Sequence, residues 1–326
     1  MYVLFLMLAC TKTKRFDITI PAEINIDQEI KSLAPINREN SEESEKSLNE
    51  LIRSMSDARN PRFSLVDQKR AQSAYTSIGT ESGSILNKDD TERLCKRADV
   101  TGIVSLEKFR YNKDWDFNTY QTTKERRRTI TEDGKEREQV IREEVTMHRA
   151  SLDVDMESNW KVYSCDGEII DTHKKSSNRR LSAEGESRSD AKDAVGETDD
   201  IIDGMSKNLG LMYFRRISPY EISVERKYYP SGHPKIKSGN EALDEGNYAS
   251  AETLFRQASE EATKKNKGKA LYNLAMVMEI TDRIGEALET AINANRYLQN
   301  NMSQTYVDIL RKRKKERDEL NKQLGQ

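Results

Sequence analysis

The stretch RADVTGIVSLEKF, residues 97–109, decides the fold of the N-terminal part of the chain. Its first three residues close a charged helical pattern, and the other ten form a run whose apolar residues are Val100, Ile103, Val104, Leu106 and Phe109. A short apolar run of this kind is typical of a strand that is buried inside a sheet. The sequence therefore predicts a helix that ends near Arg97 and leads directly into a strand over residues 100–109.

The residues upstream of this stretch alternate between strand and helix patterns. The predicted strands cover residues 16–20, 30–37 and 62–66, and the predicted helices cover residues 48–55 and 71–78. Apolar residues alternate with polar ones in the first strand, and they recur at three- and four-residue spacing in the helices. Strands that alternate with helices predict a sheet that is covered by helices.

Downstream of this region the pattern changes to antiparallel strands. Two Asp-Gly pairs, Asp133-Gly134 and Asp166-Gly167, each separate two strand patterns. An Asp-Gly pair favours the tight turn of a β-hairpin. We therefore expect antiparallel hairpins over residues 110–172, and we expect them to complete the sheet.

The end of the first domain is marked by a linker. Residues 174–193 are polar and have no periodicity, so that we expect a loop there. A predicted helix with apolar residues at Ile202, Met205, Leu209 and Met212 follows, and then a strand over residues 220–229. The sequence PSGHP at residues 230–234 is typical of a linker. The predicted α/β domain therefore covers residues 16–230.

Beyond the linker the pattern is helical throughout. Gly246-Asn247-Tyr248 is followed by Ala251, Phe255 and Ala258, and small residues recur 36 positions later at Ala287, Ala291 and Ala294. This pattern is similar to the tetratricopeptide repeat, where small residues such as Gly239 let two helices approach closely. The resemblance implies two repeats plus a capping helix over residues 235–326. The expected fold class is α+β: a mixed sheet with covering helices, followed by an all-α helical-repeat domain.

The same resemblance implies a binding groove that is lined by the first helix of each repeat. The residues expected to line it are Ile236, Asn240, Leu243, Tyr272, Met276 and Glu279. The partner expected there is a peptide or another protein of the cell envelope. The alternative is that these six residues only pack between the two domains.

The N-terminal segment MYVLFLMLAC, residues 1–10, indicates the compartment. Its apolar run is too short to cross a bilayer, which needs about 20 residues, but it matches the apolar region of a secretory signal. Met7-Leu8-Ala9-Cys10 resembles the bacterial lipobox, which implies a lipid attached to Cys10. The usual charged residues before the apolar run are missing, and we therefore expect the true start to lie further upstream.

The lipobox resemblance implies a lipid-anchored protein of the cell envelope. The residues after Cys10 include Lys12, Lys14 and Arg15, and they lack the acidic cluster that accompanies surface export in some lipoproteins. We therefore expect the protein at the outer membrane, facing the periplasm.

The composition argues against several classes of function. The 54 Lys and Arg residues nearly balance the 56 Asp and Glu residues, whereas a nucleic-acid-binding protein normally has a marked basic excess.

Apart from Cys10, the cysteines are Cys95 and Cys165; they could pair in an oxidising compartment, but two buried free thiols are the expected state. No CxxC or HxxxH spacing is present, so that we expect neither a metal nor a cofactor.

The α/β domain resembles bacterial envelope lipoproteins related to the curli-secretion pore and to the penicillin-binding-protein activators. The resemblance is carried by the strands at Ser32–Asn37 and Arg62–Asp67, and by Ala98-Asp99 before the apolar Ile103-Val104. Together with the C-terminal repeats, it implies a family of Gram-negative envelope lipoproteins.

These patterns leave three functions open. The leading hypothesis is a non-enzymatic, envelope-anchored protein-binding or assembly module. An alternative is an envelope hydrolase with a site in the region 110–180, where Asp171 and His173 face one side of a strand and Cys165 lies nearby in sequence. The third is a subunit of an oligomeric secretion assembly, although the charged hairpin at residues 121–146 lacks the apolar alternation of a membrane strand.

Overall fold

The structure is a computed structural model, and it describes residues 11–59, 61–79, 84–132 and 135–326. The expected lipidation site Cys10 and the expected turn at Asp133-Gly134 lie outside the described residues. The fold belongs to the α+β class, as predicted. A region that contains sheet and helices is followed by a run of helices that continues to the C-terminus.

The strands are β1 (Lys12–Ile20), β2 (Ser32–Asn37), β3 (Ser64–Leu65), β4 (Gly102–Glu132), β5 (Lys135–Ser164), β6 (Ile169–Gly185) and β7 (Tyr220–Tyr228). The helices before the predicted linker are α1 (Glu42–Asp57), α2 (Gln68–Ile78), α3 (Lys88–Ala98), α4 (Arg188–Ala194) and α5 (Asp199–Ile217). The helices after it are α6 (Pro234–Asp244), α7 (Tyr248–Glu261), α8 (Lys264–Ile280), α9 (Ile284–Leu298) and α10 (Asn301–Leu324).

The described residues form two compact units, whose division differs from the predicted one. The sheet unit comprises Glu29–Phe214, and the helical unit comprises the residues up to Gln28 together with Arg215–Gln326. The expected domain over residues 16–230 had included β1 and β7. These two strands instead pair antiparallel with each other along their whole length and form a separate two-stranded sheet, so that both belong to the helical unit.

The sheet unit has a five-stranded sheet in the order β3-β2-β4-β5-β6. Strand β2 pairs parallel with β3 and β4, whereas β4, β5 and β6 pair antiparallel, so that the sheet is mixed as predicted. Tyr163 packs in a core cluster with apolar residues of α2 and α3, and Trp160 stacks on Tyr213 of α5 at a ring distance of 4.9 Å. Successive side chains of a strand alternate between faces, so that these helices cover opposite faces of the sheet.

The stretch that joins α3 to β4 folds as its sequence predicts. Helix α3 begins with a capping box, in which Asn87 accepts from the backbone N–H of Asp90 and Asp90 accepts from that of Asn87. The helix ends at Ala98, and Asp99 takes a left-handed conformation with a φ of 62° that turns the chain towards β4. Gly102 begins the strand.

Cys95 and Cys165 form a disulfide, so that the expectation of two free thiols is wrong. Helix α3 leads directly into β4, whose first residue Gly102 pairs with Ser164 of β5. This pairing brings the end of α3 and the end of β5 together, with a distance of 5.8 Å between the two cysteine Cα atoms. The sequence did not indicate this disulfide, because the two cysteines meet only through the pairing of β4 with β5.

The expected loop over residues 174–193 is wrong: strand β6 continues to Gly185, and helix α4 begins at Arg188. Buried and exposed positions alternate at the start of β6, but polar residues such as Asp171 and His173 occupy the more buried positions. The alternation is therefore one of burial rather than of hydrophobicity, and hydrophobicity is what a sequence pattern reports.

Strands β4 and β5 extend well beyond the rest of the sheet. They have 31 and 30 residues and pair with each other from Gly102↔Ser164 to Glu132↔Lys135. Strand β6 pairs with β5 only as far as His148. Residues 121–132 and 135–146 therefore form a two-stranded extension, which we call the β4–β5 arm.

The helical unit contains consecutive helices that pack against each other, joined by loops of two or three residues. Such short loops produce antiparallel neighbours. A Cβ atom at Gly239 would lie 2.6 Å from Phe255, so that the small residue expected between α6 and α7 is confirmed. No helix within the described ranges has a stretch that is both long and apolar enough to cross a bilayer.

Candidate functional site on the helical unit

Helix α8 is the central element of the helical unit. The run ALYNLAMVME, residues 270–279, is buried along its whole length. A helix that is apolar on every side is normally surrounded by other elements. Helices α7 and α9 cover α8 on two sides, and strands β1 and β7 contact it as well.

The six residues expected to line an open groove are all buried, and the prediction of an accessible groove is therefore wrong. Their exposed fractions range from 0% to 4%; the residues are Ile236, Asn240, Leu243, Tyr272, Met276 and Glu279. Four of them belong to the main apolar core of the unit: Ile236, Leu243, Tyr272 and Met276. The alternative expectation was that these residues pack between the two domains, whereas the core cluster that holds four of them lies within the helical unit.

An extended segment of the chain itself is bound to this face of the helices. The backbone N–H of Tyr229 donates to Oδ1 of Asn273 at 2.9 Å, and its carbonyl accepts from Nδ2 of Asn273 at 2.8 Å. The same carbonyl accepts from Nδ2 of Asn240 at 3.0 Å. Two side-chain amides thus satisfy the backbone of one extended residue, as they would for the backbone of a bound peptide.

A buried ion pair fixes strand β7 to the same face. The guanidinium of Arg226 donates to both carboxylate oxygens of Glu279, at 2.8 and 3.1 Å, and the hydroxyl of Tyr306 donates to Glu279 at 2.9 Å. The Glu279 side chain is fully buried and that of Arg226 is 10% exposed. Burial, reinforced by the Glu279 charge, raises the pKa of Tyr306 well above its ordinary value, so that its hydroxyl remains a donor.

The surface of α6 and α8 that Arg226 and Tyr229 cover is called the filled face below. One pocket remains open beside it. It has a volume of about 520 Å³ and lies between the end of β7, helix α8 and the first turns of α10. Its apolar walls are Tyr272, Met302, Tyr306 and Ile309, and its polar lining is Thr11, Glu225, Arg226, Lys227, Asn301 and Thr305. Such a combination of apolar walls and a polar rim is typical of a site that accepts an apolar side chain or a small ligand.

Sequence reasoning found one wall of this pocket and missed the others. Tyr272 was among the expected groove residues, whereas α10 was expected only to cap the repeats. The signal in the sequence was a second apolar stripe on α10, in which Met302, Tyr306 and Ile309 recur at spacings of four and three residues.

Of the residues proposed for a hydrolase site, Asp171 and His173 lie near each other beside Tyr213, whereas Cys165 lies apart from them. Cys165 is bonded to Cys95 and packs with the apolar cluster of α2 and α3. Asp171 and His173 lie on the opposite face of the sheet, where Asp171 accepts from the Tyr213 hydroxyl at 3.2 Å and the His173 ring stacks on Tyr213 at 6.0 Å. The prediction that Asp171 and His173 share one side of a strand is confirmed. Within the described ranges no cluster of three or more His, Cys, Asp or Glu side chains could hold a metal.

Comparisons with known proteins give two family matches. The family described as a domain of unknown function (DUF8603) matches residues 20–229. A second family, described as a domain of unknown function (DUF6340), matches residues 237–312. The interval between the two matches coincides with the linker expected from the sequence. No curated protein and no solved structure matches the chain.

Proposed function

The chain belongs to the DUF8603 family, and we propose that it is a non-enzymatic protein-binding or assembly module, anchored in the bacterial envelope by a lipid on Cys10. The observation that carries the proposal is the pocket beside the filled face of the helical unit. Its occupant would be an extended segment of another envelope protein, with one apolar side chain inserted between Tyr272, Met302 and Ile309.

The filled face supports this kind of ligand. The helical unit already binds an extended segment of its own chain through Asn240 and Asn273, which contact backbone atoms of Tyr229. Side-chain amides that bind backbone atoms select an extended conformation without selecting a sequence. The adjacent pocket would supply the selection, because Met302 is flexible and adapts its shape to different apolar side chains.

The disulfide supports location in the envelope. Disulfides persist in oxidising compartments such as the periplasm and are rare in the cytosol of bacteria. The Cys95–Cys165 bond therefore agrees with the secretory and lipobox patterns of residues 1–10, which suggest the same compartment independently. Together with the basic residues after Cys10, these features favour the periplasmic face of the outer membrane.

Site-specific photo-crosslinking tests the pocket. A photoreactive amino acid replaces Thr305, an exposed residue that lines the pocket, in the full-length protein in living cells. We expect one dominant partner, with the crosslinked peptide of that partner identified by mass spectrometry. The double substitution Met302→Glu and Ile309→Glu should reduce the yield at least tenfold, because it places two charges on the apolar walls.

The matched control is Ile85→Glu, which adds a charge at an apolar residue that is 59% exposed and lies in the sheet unit. It should leave the crosslink unchanged. Far-ultraviolet circular dichroism and a thermal melt check that the double variant is folded. An equal yield from the double variant and the parent would contradict the proposed site.

A further inference from the structure

Strand β4 has an edge without a partner strand over most of its length. Strand β2 pairs with β4 only as far as Leu106, and beyond a bulge at Leu106/Lys108 the strand pairs with β5 alone. Among the described residues no other strand pairs with this edge. From Lys108 to Glu132 it extends about 80 Å at ~3.3 Å per residue.

An edge of this kind is a surface on which another strand can add. Its unpaired N–H and C=O groups form a ready template, and folded proteins usually protect long edges with proline, bulges or charges. Residues 110–132 contain no proline, and the bulge in β4 lies before them. The charges on this edge, and their order along it, therefore decide which strand can pair there.

Within residues 112–130, the charges on one face of β4 have opposite signs on the two sides of Gln121. Side chains at every second position share a face. On the even-numbered face Asp114 and Asp116 lie on one side of Gln121, and Arg126 and Arg128 lie on the other. Asp116 and Arg126 are each five residues from Gln121, and Asp114 and Arg128 are each seven residues from it.

This order makes the edge complementary to itself. If a second copy of β4 pairs antiparallel with Gln121 opposite Gln121, Asp116 of each copy lies opposite Arg126 of the other. Asp114 lies opposite Arg128 in the same way, and two-fold symmetry forms each pair twice. Opposite charges placed across two strands stabilise their pairing, and over residues 112–130 this register opposes no two like charges.

The four charged side chains are exposed and accessible for such pairs. Arg126 has a long contact of 3.8 Å with Glu143, and Asp116 accepts from Asn118 at 2.9 Å. Asp114 and Arg128 make no ion pair with any side chain that the structure describes. Exposed pairs of this kind are weak and exchange readily for a better partner.

We propose that two copies of this chain associate through the open edges of β4, antiparallel and with Gln121 opposite Gln121. The partner of this surface is a second copy because the sequence of charges along the edge is complementary under the two-fold rotation that relates two identical strands. The proposal does not depend on the pocket of the helical unit, which lies in different residues.

A charge-exchange experiment tests both the association and its register. One variant of the full chain carries Arg126→Asp and Arg128→Asp, and the other carries Asp114→Arg and Asp116→Arg. Sedimentation velocity in mild detergent measures the mass of each variant and of their mixture. We expect the parent to be a dimer, and each variant alone to associate at least tenfold more weakly, because like charges then face each other. The two variants mixed should form a dimer that contains one copy of each.

The charge-conserving variant Arg126→Lys with Arg128→Lys is the matched control and should remain dimeric. A monomeric parent overturns the proposal, and it would mean that the charges only protect the edge. A dimeric parent whose variants dimerise equally well, or whose variants do not recover when mixed, overturns the register. The Thr305 crosslink, measured in the Arg126→Asp and Arg128→Asp variant, should be unchanged; this separates failure of the edge from failure of the pocket.

Discussion

The helical unit and the β4–β5 arm differ in whether the backbone N–H and C=O groups of an extended segment have partners. In the helical unit an extended segment of the chain lies against helices α6 and α8, and the amides of Asn240 and Asn273 satisfy its backbone. In the arm, one edge of β4 is left without a strand among the described residues. The comparison teaches that a resemblance to a binding fold does not locate the binding surface. The surface that remains available lies where the chain has not already supplied its own partner.

The largest expected effect comes from breaking the ion pair that fixes β7 to the helices. Glu279→Ala leaves the Arg226 guanidinium buried without its partner, and we expect a loss of about 3–5 kcal/mol in the free energy of unfolding of the helical unit. A urea titration followed by circular dichroism measures this. The matched control is Glu225→Ala, which lies on β7 like Arg226 and loses only an exposed ion pair with Arg15 of β1. A similar small effect for both variants would contradict the view that β7 is fixed by the buried pair.

Removal of the disulfide tests the sheet unit. The Cys95–Cys165 bond links the ends of α3 and β5, whereas no such bond links the two strands of the β4–β5 arm among the described residues. The double substitution Cys95→Ala and Cys165→Ala opens a link between residues separated by 70 positions, and we expect a loss of about 2–4 kcal/mol. Thermal melts with and without reducing agent measure it. The parent should fall to the stability of the variant when reduced, whereas the variant itself should not respond to the reductant. A parent that does not respond would mean that the bond is absent.

A smaller loss is expected when the amide that binds the Tyr229 backbone is removed. Asn273 is fully buried and makes three hydrogen bonds, two to Tyr229 and one to Asn240. Asn273→Ala leaves the N–H of Tyr229 unsatisfied, and we expect a cost of about 1–3 kcal/mol. Asn293→Ala, at a partly exposed position of α9, is the control. If the two substitutions had equal effects, Asn273 would not be what binds the extended segment.

The parts of the structure that the sequence predicts are those in which hydrophobic periodicity follows burial. Apolar alternation in β5 and the helical spacing of α5 locate both elements, and Gly239 marks a close helix contact. The failures share a cause: each depends on which elements meet. Pairing of β1 with β7 sets the boundary between the two units. Pairing of β4 with β5 brings Cys95 and Cys165 close enough to form the disulfide. The expected groove is filled because β7 lies against it, which no local pattern of α6 or α8 reports.

The filled face should also be sensitive to alkali. Burial raises the pKa of Tyr272 and Tyr306 well above their ordinary value, and burial beside Asp244 raises that of Tyr228 to about 12. The unfolded chain ionises its tyrosines near pH 10, whereas these groups resist ionisation in the folded protein. These three tyrosines therefore stabilise the folded protein fully below pH ~10. This stabilisation is lost as the pH rises above ~10, because the unfolded chain then ionises its tyrosines and the folded protein does not.

Urea titrations between pH 8 and pH 11 measure this loss. Tyr272→Phe removes one of the buried hydroxyls, and we expect its stability to fall less steeply with pH than that of the parent. Tyr111→Phe, at an exposed residue of β4, is the matched control. Identical slopes for the parent and the Tyr272 variant would show that Tyr272 is not protected from ionisation, and the face would then be less tightly filled than the structure indicates.

The smallest effect is expected in the arm, where charges are paired in solvent. Arg142 donates to Glu125 across the two strands at 2.8 Å, but both side chains are more than half exposed. Arg142→Ala should change the free energy of unfolding by less than the error of a denaturant titration, because exposed pairs gain little over hydration. Arg142 lies on β5, away from the open edge of β4, so that the same substitution should leave the dimer intact. A loss of association in Arg142→Ala would mean that the arm associates through β5 or through a face of the ribbon, and it would move the proposed contact away from the edge of β4.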